Sequence, residues 1–464
     1  MKGAKRAVGF WNPKMELMSR ADLQQLQLHK LKATVAWANE RSAFWRTKLE
    51  AAGVRPEHIR SLDDLRRLPF LTKEEWIKSQ QENPPFGNSL ATGQELAMRY
   101  HQTSGTSGRT PLRVLDGRKD WEWVAEMWAY GIHGFGVRSG DVAYLPFSYG
   151  IFIGFWGAHY ALEKMGVLVI TGGGQTTEAR LSTLMELGAT VIVATPTYAL
   201  RLAQVAEETG IDLARDSKVE LLIHAGEPGA NIPSTKQAIQ EAWGAKAGDF
   251  PGMTECGTIF AFECSEQSGA IHIIEDHFIE EVINPKTGEP VNYGERGERV
   301  MTSFGRGLMP VLRYRTGDLV EKIEASSCPC GRTFDLYRGG IIGRIDDMKI
   351  IRGVNVYPSA VENIVRGFHE VNEFQIVIGK DGPLDEISVR VEPSPETNQS
   401  TVAGLGTRLA AELASAHEGL RFGVEVVEPG TLPTFELKAR RLVDTRGVGG
   451  VNSPFDKDLA YNSR

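Results

Sequence analysis

The chain has 464 residues, with 52 Lys and Arg against 59 Asp and Glu for a formal charge of −7, and 41% of its residues are hydrophobic. That balance excludes a mainly disordered chain, and the mild acidity excludes a nucleic-acid binder relying on a broad cationic face. No uninterrupted apolar run reaches the roughly 18 residues of a membrane span, and the start Met1-Lys2-Gly3-Ala4-Lys5-Arg6 leads into no apolar signal core, so the expectation is a cytoplasmic protein. The four cysteines, Cys256, Cys264, Cys328 and Cys330, fall in one short window, too few for a disulfide scaffold. Clustered thiols in a reducing compartment point to metal binding or catalysis.

Residues 16–52 read as helical, from Leu23, Leu26, Leu31, Val35, Trp37 and Trp45 recurring among polar residues, with Gly53 as the stop. Thr72-Lys73-Glu74-Glu75 has the pattern of a helix start. From about 140, short apolar runs at 142–145, 167–170, 191–194 and 221–223 alternate with amphipathic segments such as 177–187 and 197–209. Strand and helix alternating at this spacing predict a largely parallel sheet. After 270 the pattern turns hairpin-like, with Pro285-Lys286-Thr287-Gly288 as a turn. A second change near 344–347 opens a small α+β unit, with a helix at 359–368 and strands at 374–378 and 387–391. The tail after Arg446, rich in Gly, Asn and Ser, reads as loosely held.

The sharpest local feature is Thr103-Ser104-Gly105-Thr106-Ser107-Gly108-Arg109. Glycines let a backbone approach an anion, hydroxyls and amides donate to phosphate oxygens, and Arg109 adds charge. By itself the segment is equally a solvated Ser/Gly/Thr loop, and it lacks the GxxxxGK[ST] pattern of a Walker NTPase. Three later clusters belong with it. Gly252-Met253-Thr254-Glu255 offers a lone carboxylate suited to Mg²⁺ beside phosphates. Tyr314-Arg315-Thr316-Gly317-Asp318 places an acid after a glycine turn, suited to ribose hydroxyls. Gly343-Arg344-Ile345-Asp346-Asp347 stands where the texture changes.

In this order and spacing the chain resembles the adenylate-forming superfamily and, within it, the phenylacetate–CoA ligase family. The likeness runs from about 12 to 446 and includes Ser19-Arg20, Phe44-Trp45-Arg46, Pro69-Phe70, Gly157-Ala158-His159-Tyr160, Gly172-Gly173-Gly174, Ala225-Gly226-Glu227-Pro228 and Ile351-Arg352-Gly353-Val354-Asn355-Val356-Tyr357-Pro358. The resemblance implies an α/β fold: a large adenylate-forming domain with mixed sheets over 1–345, a small mobile α+β lid over 346–446, and a flexible tail over 447–464. It implies that an aromatic carboxylate reacts with ATP to give an aryl-adenylate and pyrophosphate, and that coenzyme A then displaces AMP. The alternative is transfer to an amine, a hydroxyl or a carrier protein. Thr103 to Arg109 would hold the β- and γ-phosphates, with Ala225, Gly226, Glu227 and Pro228 against the adenine. Thr254 would touch the α-phosphate, Glu255 would bind Mg²⁺, and Asp318 would hold the ribose with Arg344 nearby. Asp346 would be the hinge, and Lys438, in Phe435-Glu436-Leu437-Lys438, the catalytic lysine that stabilises the adenylation transition state. Two positions depart from the family pattern. Leu437 stands where a glycine is frequent, and Pro251 where an aromatic residue is frequent; either Phe250 supplies the stacking face or the pocket differs there.

Cys328-Pro329-Cys330, with Cys264 and His272, makes a Cys₃His set, the ligand count of a closed structural zinc site. A subset of the resembled family has this arrangement, with the tract seen here as Ile274-Glu275-Asp276-His277. The zinc-binding hairpin would span about 256–332; His277 could replace His272, and Cys256, next to Glu255, reads as pocket wall. The acyl pocket is expected around Phe147, Tyr149, Gly150, His224 and Met253, whose aromatic walls suit a flat ring. Polar tips at Ser148, Tyr149 or His224 could read hydroxyl or amino substituents, so a substituted benzoate is as compatible as phenylacetate. The partners implied are the aryl acid, ATP and coenzyme A; pairing of two chains is compatible with the resemblance, although no segment marks an interface.

Overall fold

A computed structural model of the chain describes residues 8–103, 110–345, 347–381, 384–394, 397, 399–433, 435, 439 and 441–446. Contacts divide it into two compact units, Met1–Asp346 and Asp347–Arg464.

The first unit opens with α1 (Pro13–Glu16), α2 (Arg20–Arg41) and α3 (Ala43–Ala51). The continuous helix expected over 16–52 is therefore broken. Ser42 leaves helical geometry at ψ 120° and caps α3 by accepting from the Trp45 N–H. Its hydroxyl is buried and donates to the Ser89 carbonyl at 3.1 Å, so a tertiary bond competes with helix propagation. α4 (Lys73–Glu82) begins at the expected capping box, with Thr72 accepting from Glu75 N and the Glu75 side chain accepting from Thr72 N. The hairpin β1 (Ala97–Gln102) and β2 (Arg113–Gly117) brackets the glycine- and hydroxyl-rich segment, and α5 (Arg118–Phe135) follows.

Strands β3 (Val142–Leu145), β4 (Leu168–Thr171), β5 (Val191–Ala194), β6 (Leu221–His224) and β7 (Lys246–Asp249) form a parallel sheet in the order β4-β3-β5-β6-β7. Helices α6 (Gly154–Lys164), α7 (Thr177–Leu187), α8 (Pro196–Glu208), α9 (Leu213–Asp216) and α10 (Pro233–Trp243) occupy the connections. β5 and β6 are buried at every residue, which is why they read as unbroken apolar runs. The short pair β8 (Gly252–Met253) and β9 (Thr258–Ile259) carries the Thr254–Glu255 turn.

A second sheet is built from β10 (Ala261–Phe262), β11 (Ala270–Ile273), β12 (Phe278–Ile283), β13 (Arg296–Ser303), β14 (Tyr314–Ile323), β15 (Leu336–Arg338) and β16 (Gly343–Arg344). Its order is β10-β11-β15-β14-β13-β12, with β16 also on β14, and every pairing is antiparallel.

The second unit has the hairpin β17 (Lys349–Ile351) and β18 (Val354–Val356), then α11 (Pro358–Arg366), β19 (Val371–Asp381), β20 (Leu384–Pro393), α12 (Gln399–Ala416), β21 (Gly423–Val426) and β22 (Leu442–Asp444). Its main sheet runs β21-β20-β19-β22, and Val361, Val365, Phe374, Ile376, Val389, Leu405, Leu409 and Leu413 form a core of its own. Among the described residues no helix is long and apolar enough to cross a membrane.

Candidate active site and metal centre

Because β3, β5, β6 and β7 run parallel, Leu145, Ala194, His224 and Asp249 end them along one sheet edge. Ligands of open α/β sheets bind outside such carboxyl ends. The segments leaving this edge are 146–153, the start of α8, Ala225-Gly226-Glu227-Pro228, and 250–257. The structure thus brings the Phe147, Tyr149 and Gly150 segment, His224 to Pro228 and Met253 to Glu255 to one edge of the sheet.

Glu227 is held by its Oε1, which accepts from Thr197 N at 2.9 Å at the start of α8. His224 is fully buried, its Nδ1 3.0 Å from the Ala194 carbonyl, and burial pushes its pKa down to about 4, so the ring is neutral. Phe147 packs on Tyr149 at 4.8 Å and on Phe155 at 4.4 Å between ring centres. The Tyr149 hydroxyl lies 2.7 Å from His159 Nδ1, and the Gly150 carbonyl accepts from Trp156 Nε1 at 2.9 Å.

The Glu255 carboxylate meets Lys73 Nζ at 3.0 Å and accepts from the Tyr314 hydroxyl at 3.4 Å. Lys73 was legible as a helix start but carried no functional signal, since a lysine at the first turn of a helix is an ordinary surface residue. Asp318 faces two arginines, Arg344 at 3.3 Å across the β14–β16 register and Arg299 at 3.4 Å. Burial pushes its carboxyl pKa up while both guanidiniums pull it down. Arg299 is itself fully buried, bidentate to Glu280 at 2.7 Å on each arm, and 3.4 Å from Met253 Sδ. Thr103 closes the base of the β1–β2 hairpin, its hydroxyl accepting from Leu112 N at 3.0 Å. Ser104 to Arg109, Asp346, Lys438 and the tail from 447 lie outside the described residues.

Of the two readings of Pro251, the geometry removes the one that gives Phe250 the stacking role. Phe250 is fully buried, parallel to Trp128 at 6.3 Å and edge-on to Phe135 at 5.6 Å. It packs against Gly131 of α5, where a Cβ would stand 2.9 Å from its ring. In the link between β7 and β8, Phe250 is committed to the core and Pro251 is partly exposed.

The donor atoms of Cys264, His272, Cys328 and Cys330 all lie within 4.8 Å of one another and all four residues are buried. Cys264 Sγ is 3.6 Å from Cys328 Sγ, and His272 Nε2 is 3.2 Å from Cys330 Sγ. A tetrahedral ion with Zn–S near 2.3 Å has S···S edges of roughly 3.8 Å, so the donor set fits zinc in size and chemistry. The other ring nitrogen, Nδ1, is 3.2 Å from the Phe334 carbonyl, the outer partner that fixes a ligating imidazole. His277 stands elsewhere, its Nδ1 accepting from Trp123 Nε1 at 3.0 Å, and Cys256 Sγ turns to the Met253 and Thr258 carbonyls.

A parallel five-stranded sheet, an antiparallel second sheet and a small separate C-terminal unit are the architecture of the adenylate-forming CoA ligases. Residues 353–446 match the family model of the AMP-binding enzyme C-terminal domain. The phenylacetate-coenzyme A ligase of Thermus thermophilus is 35% identical over 455 residues, covering 94% of this chain and 100% of that relative. The phenylacetate-coenzyme A ligase of Escherichia coli is 33% identical over 441 residues, covering 94% and 98%. A crystal structure of a 2-hydroxyisobutyryl-CoA ligase in the postadenylation state with 2-HIB-AMP is similar with a TM-score of 0.89 at 30% identity, covering 97% of this chain and 94% of that one. The chain belongs to the phenylacetate–coenzyme A ligase family.

Proposed function

We propose that the protein is an AMP-forming acid–thiol ligase that converts an aromatic carboxylic acid, of the phenylacetate or hydroxy- or amino-substituted benzoate type, into its coenzyme A thioester. Similarity to phenylacetate-coenzyme A ligases over 94% of the chain carries this reading.

In the first step a carboxylate oxygen attacks the α-phosphorus of ATP, and pyrophosphate leaves with the electrons of the broken P–O bond. Several anions are brought together, so the residues required are cations and amide donors, not a base. Thr103 to Arg109 hold the β- and γ-phosphates, Thr254 meets the α-phosphate, and Lys438, on the C-terminal unit, bridges carboxylate and α-phosphate. Ala225 to Pro228 lie along the adenine, and Asp318, oriented by Arg299 and Arg344, accepts the ribose hydroxyls. Glu255 is the ligand for Mg²⁺, which neutralises phosphate charge when bound; Lys73 is the cation paired with this carboxylate otherwise. In the second step the coenzyme A thiolate attacks the acyl carbon, and AMP leaves with the electrons of the C–O bond. The segment from 346 to 446 acts as a lid turning about Asp346 between the two steps. Cys264, His272, Cys328 and Cys330 hold a structural zinc ion: four protein donors leave no open position for water.

The test is a panel of aryl acids and short 2-hydroxy acids with ATP and Mg²⁺, following pyrophosphate and AMP with and without coenzyme A. An aryl acid that releases AMP in a coenzyme A-dependent way is the expected result. A preference for a short aliphatic hydroxy acid would replace the acyl class. Pyrophosphate release that coenzyme A leaves unchanged would overturn the acceptor.

A further inference from the structure

We propose that Arg306, paired with Asp116, is the positioning residue that sets the Thr254–Glu255 turn against the hairpin arm leaving the 104–109 segment. The inference rests on the roles of Thr254 and Glu255 given above.

Asp116 lies near the end of β2, a few residues beyond that segment, and Arg306 lies in the loop between β13 and β14. Neither side chain is exposed to solvent. Arg306 Nε donates to Asp116 Oδ1 at 2.8 Å and Nη2 to Oδ2 at 3.0 Å, a bidentate grip. Nη1 donates in the other direction, to the Thr254 carbonyl at 3.1 Å and the Glu255 carbonyl at 2.9 Å. One planar fork thus spends four of its five N–H donors on two segments far apart in the chain. Asp120 ties the same regions a second time, accepting from Gly117 N at 2.8 Å and Gly307 N at 2.7 Å.

The turn itself is shaped to close on the guanidinium. Gly257 has φ +85°, and a Cβ there would stand 3.0 Å from Arg306 Cζ, so both conformation and contact require glycine. Its N–H reaches the Met253 carbonyl at 3.0 Å and the Thr254 carbonyl at 3.1 Å.

A buried ion pair is weak evidence of stabilisation, because an apolar pair of the same volume is often as stable. What an apolar pair cannot supply is direction. The orientation of the two carbonyls fixes the peptide planes of Thr254 and Glu255, and with them where the hydroxyl and the carboxylate point. The same guanidinium is anchored on Asp116 of β2, so the residue assigned to the α-phosphate and the residue assigned to Mg²⁺ share one buried reference on that strand. Nothing in the sequence marks this role: two common charged residues lie 190 positions apart.

The experiment compares wild-type protein with Arg306→Lys, Arg306→Met and Asp116→Asn, measuring acid-dependent pyrophosphate release, thioester formation from preformed aryl-adenylate, Mg²⁺ dependence and thermal midpoint. A misplacement of the turn by about 1 Å predicts a loss of roughly 100-fold in the adenylation kcat of Arg306→Lys. The KM for the acid should stay within about 3-fold, the Mg²⁺ requirement should rise, and the thioester step should fall by less than about 5-fold. Lysine keeps the charge opposite Asp116, so this variant decides the matter if Arg306→Met does not fold. Adenylation within about 3-fold of wild type, with unchanged Mg²⁺ dependence, would overturn the proposal. So would equal losses in both steps that track loss of folded protein. If the wild-type protein releases no pyrophosphate with any acid, the reading of the reaction fails, and the assigned role of the turn with it.

Discussion

Asp249 ends β7 with its carboxyl pushed up to about 7 from an ordinary 3.8, first by burial, then by the neighbouring Glu263, with Lys236 pulling against both. A carboxyl whose folded pKa is raised contributes stability that is complete below pH 3.8 and is lost as pH rises through about 7. Asp249→Asn stays neutral throughout. Its stability relative to wild type should therefore climb between about pH 4 and pH 7, by at most on the order of 4 kcal/mol, and then level off. Urea unfolding at several pH values reads this directly, and a difference that does not vary with pH would sink it. Two residues on, Pro251 presents a small ring where an aromatic face is frequent in the resembled family, and Phe250 is committed to the core. Stacking a base on an aromatic side chain is worth about 1–3 kcal/mol. Pro251→Tyr should accordingly lower the KM for ATP by roughly 5-fold or more while leaving the KM for the acid alone. An unchanged KM for ATP would place the base away from this residue.

At the scale of elements, the parallel sheet was legible because β5 and β6 are buried on both faces and so read as pure apolar runs. The Cys₃His cluster was legible because thiols and imidazoles are rare enough for a cluster to stand out, and the structure brings the donor atoms of Cys264, His272, Cys328 and Cys330 within 4.8 Å of one another. What stayed hidden has a common cause: it depends on contacts between distant, ordinary residues. Ser42 interrupts a periodic helix because its hydroxyl is captured by Ser89, and Lys73 meets Glu255 only once α4 packs beside β14. The loop just past Cys330 also holds the segment from Gly9 to Arg20. Arg332, just past Cys330, is bidentate in spirit but split in fact, pairing with Glu16 of α1 and donating to the Gly9 carbonyl. The Thr333 amide reaches the Glu16 carbonyl at 3.0 Å, and Arg20 donates to the Thr333 carbonyl at 3.0 Å. Cys328→Ser with Cys330→Ser should abolish zinc binding, lower the thermal midpoint by several degrees, and raise amide exchange and protease sensitivity over residues 8–20. Full zinc content in the double variant would remove the pair from the site. Loss of zinc with unchanged exchange over 8–20 would show that the arginine–glutamate anchor holds without the ion.

Across the whole molecule, the residues assigned to nucleotide and acid belong to the unit ending at Asp346, whereas Lys438 belongs to the unit beginning at Asp347. Each unit has a hydrophobic core of its own, and Thr254, Glu255 and Asp318 all lie in the first. The two steps differ in what they ask of a cation. Adenylation crowds a carboxylate against a triphosphate, and an ammonium aimed at the developing charge is worth about 3–4 kcal/mol or more in a site sheltered from water. Thiolate attack on an acyl-adenylate expels AMP, a good leaving group already activated by the first step, and has no triphosphate to neutralise. Lys438→Ala should therefore lower acid-dependent pyrophosphate release by a factor of about 100 or more, while thioester formation from preformed aryl-adenylate and coenzyme A stays within about 5-fold of wild type. Lys438→Arg keeps the charge but not the point geometry of an ammonium, and should recover little of the first step. Equal losses in the two steps would deny Lys438 its place in adenylation and leave the charge of that transition state to Arg344 and the 103–109 segment.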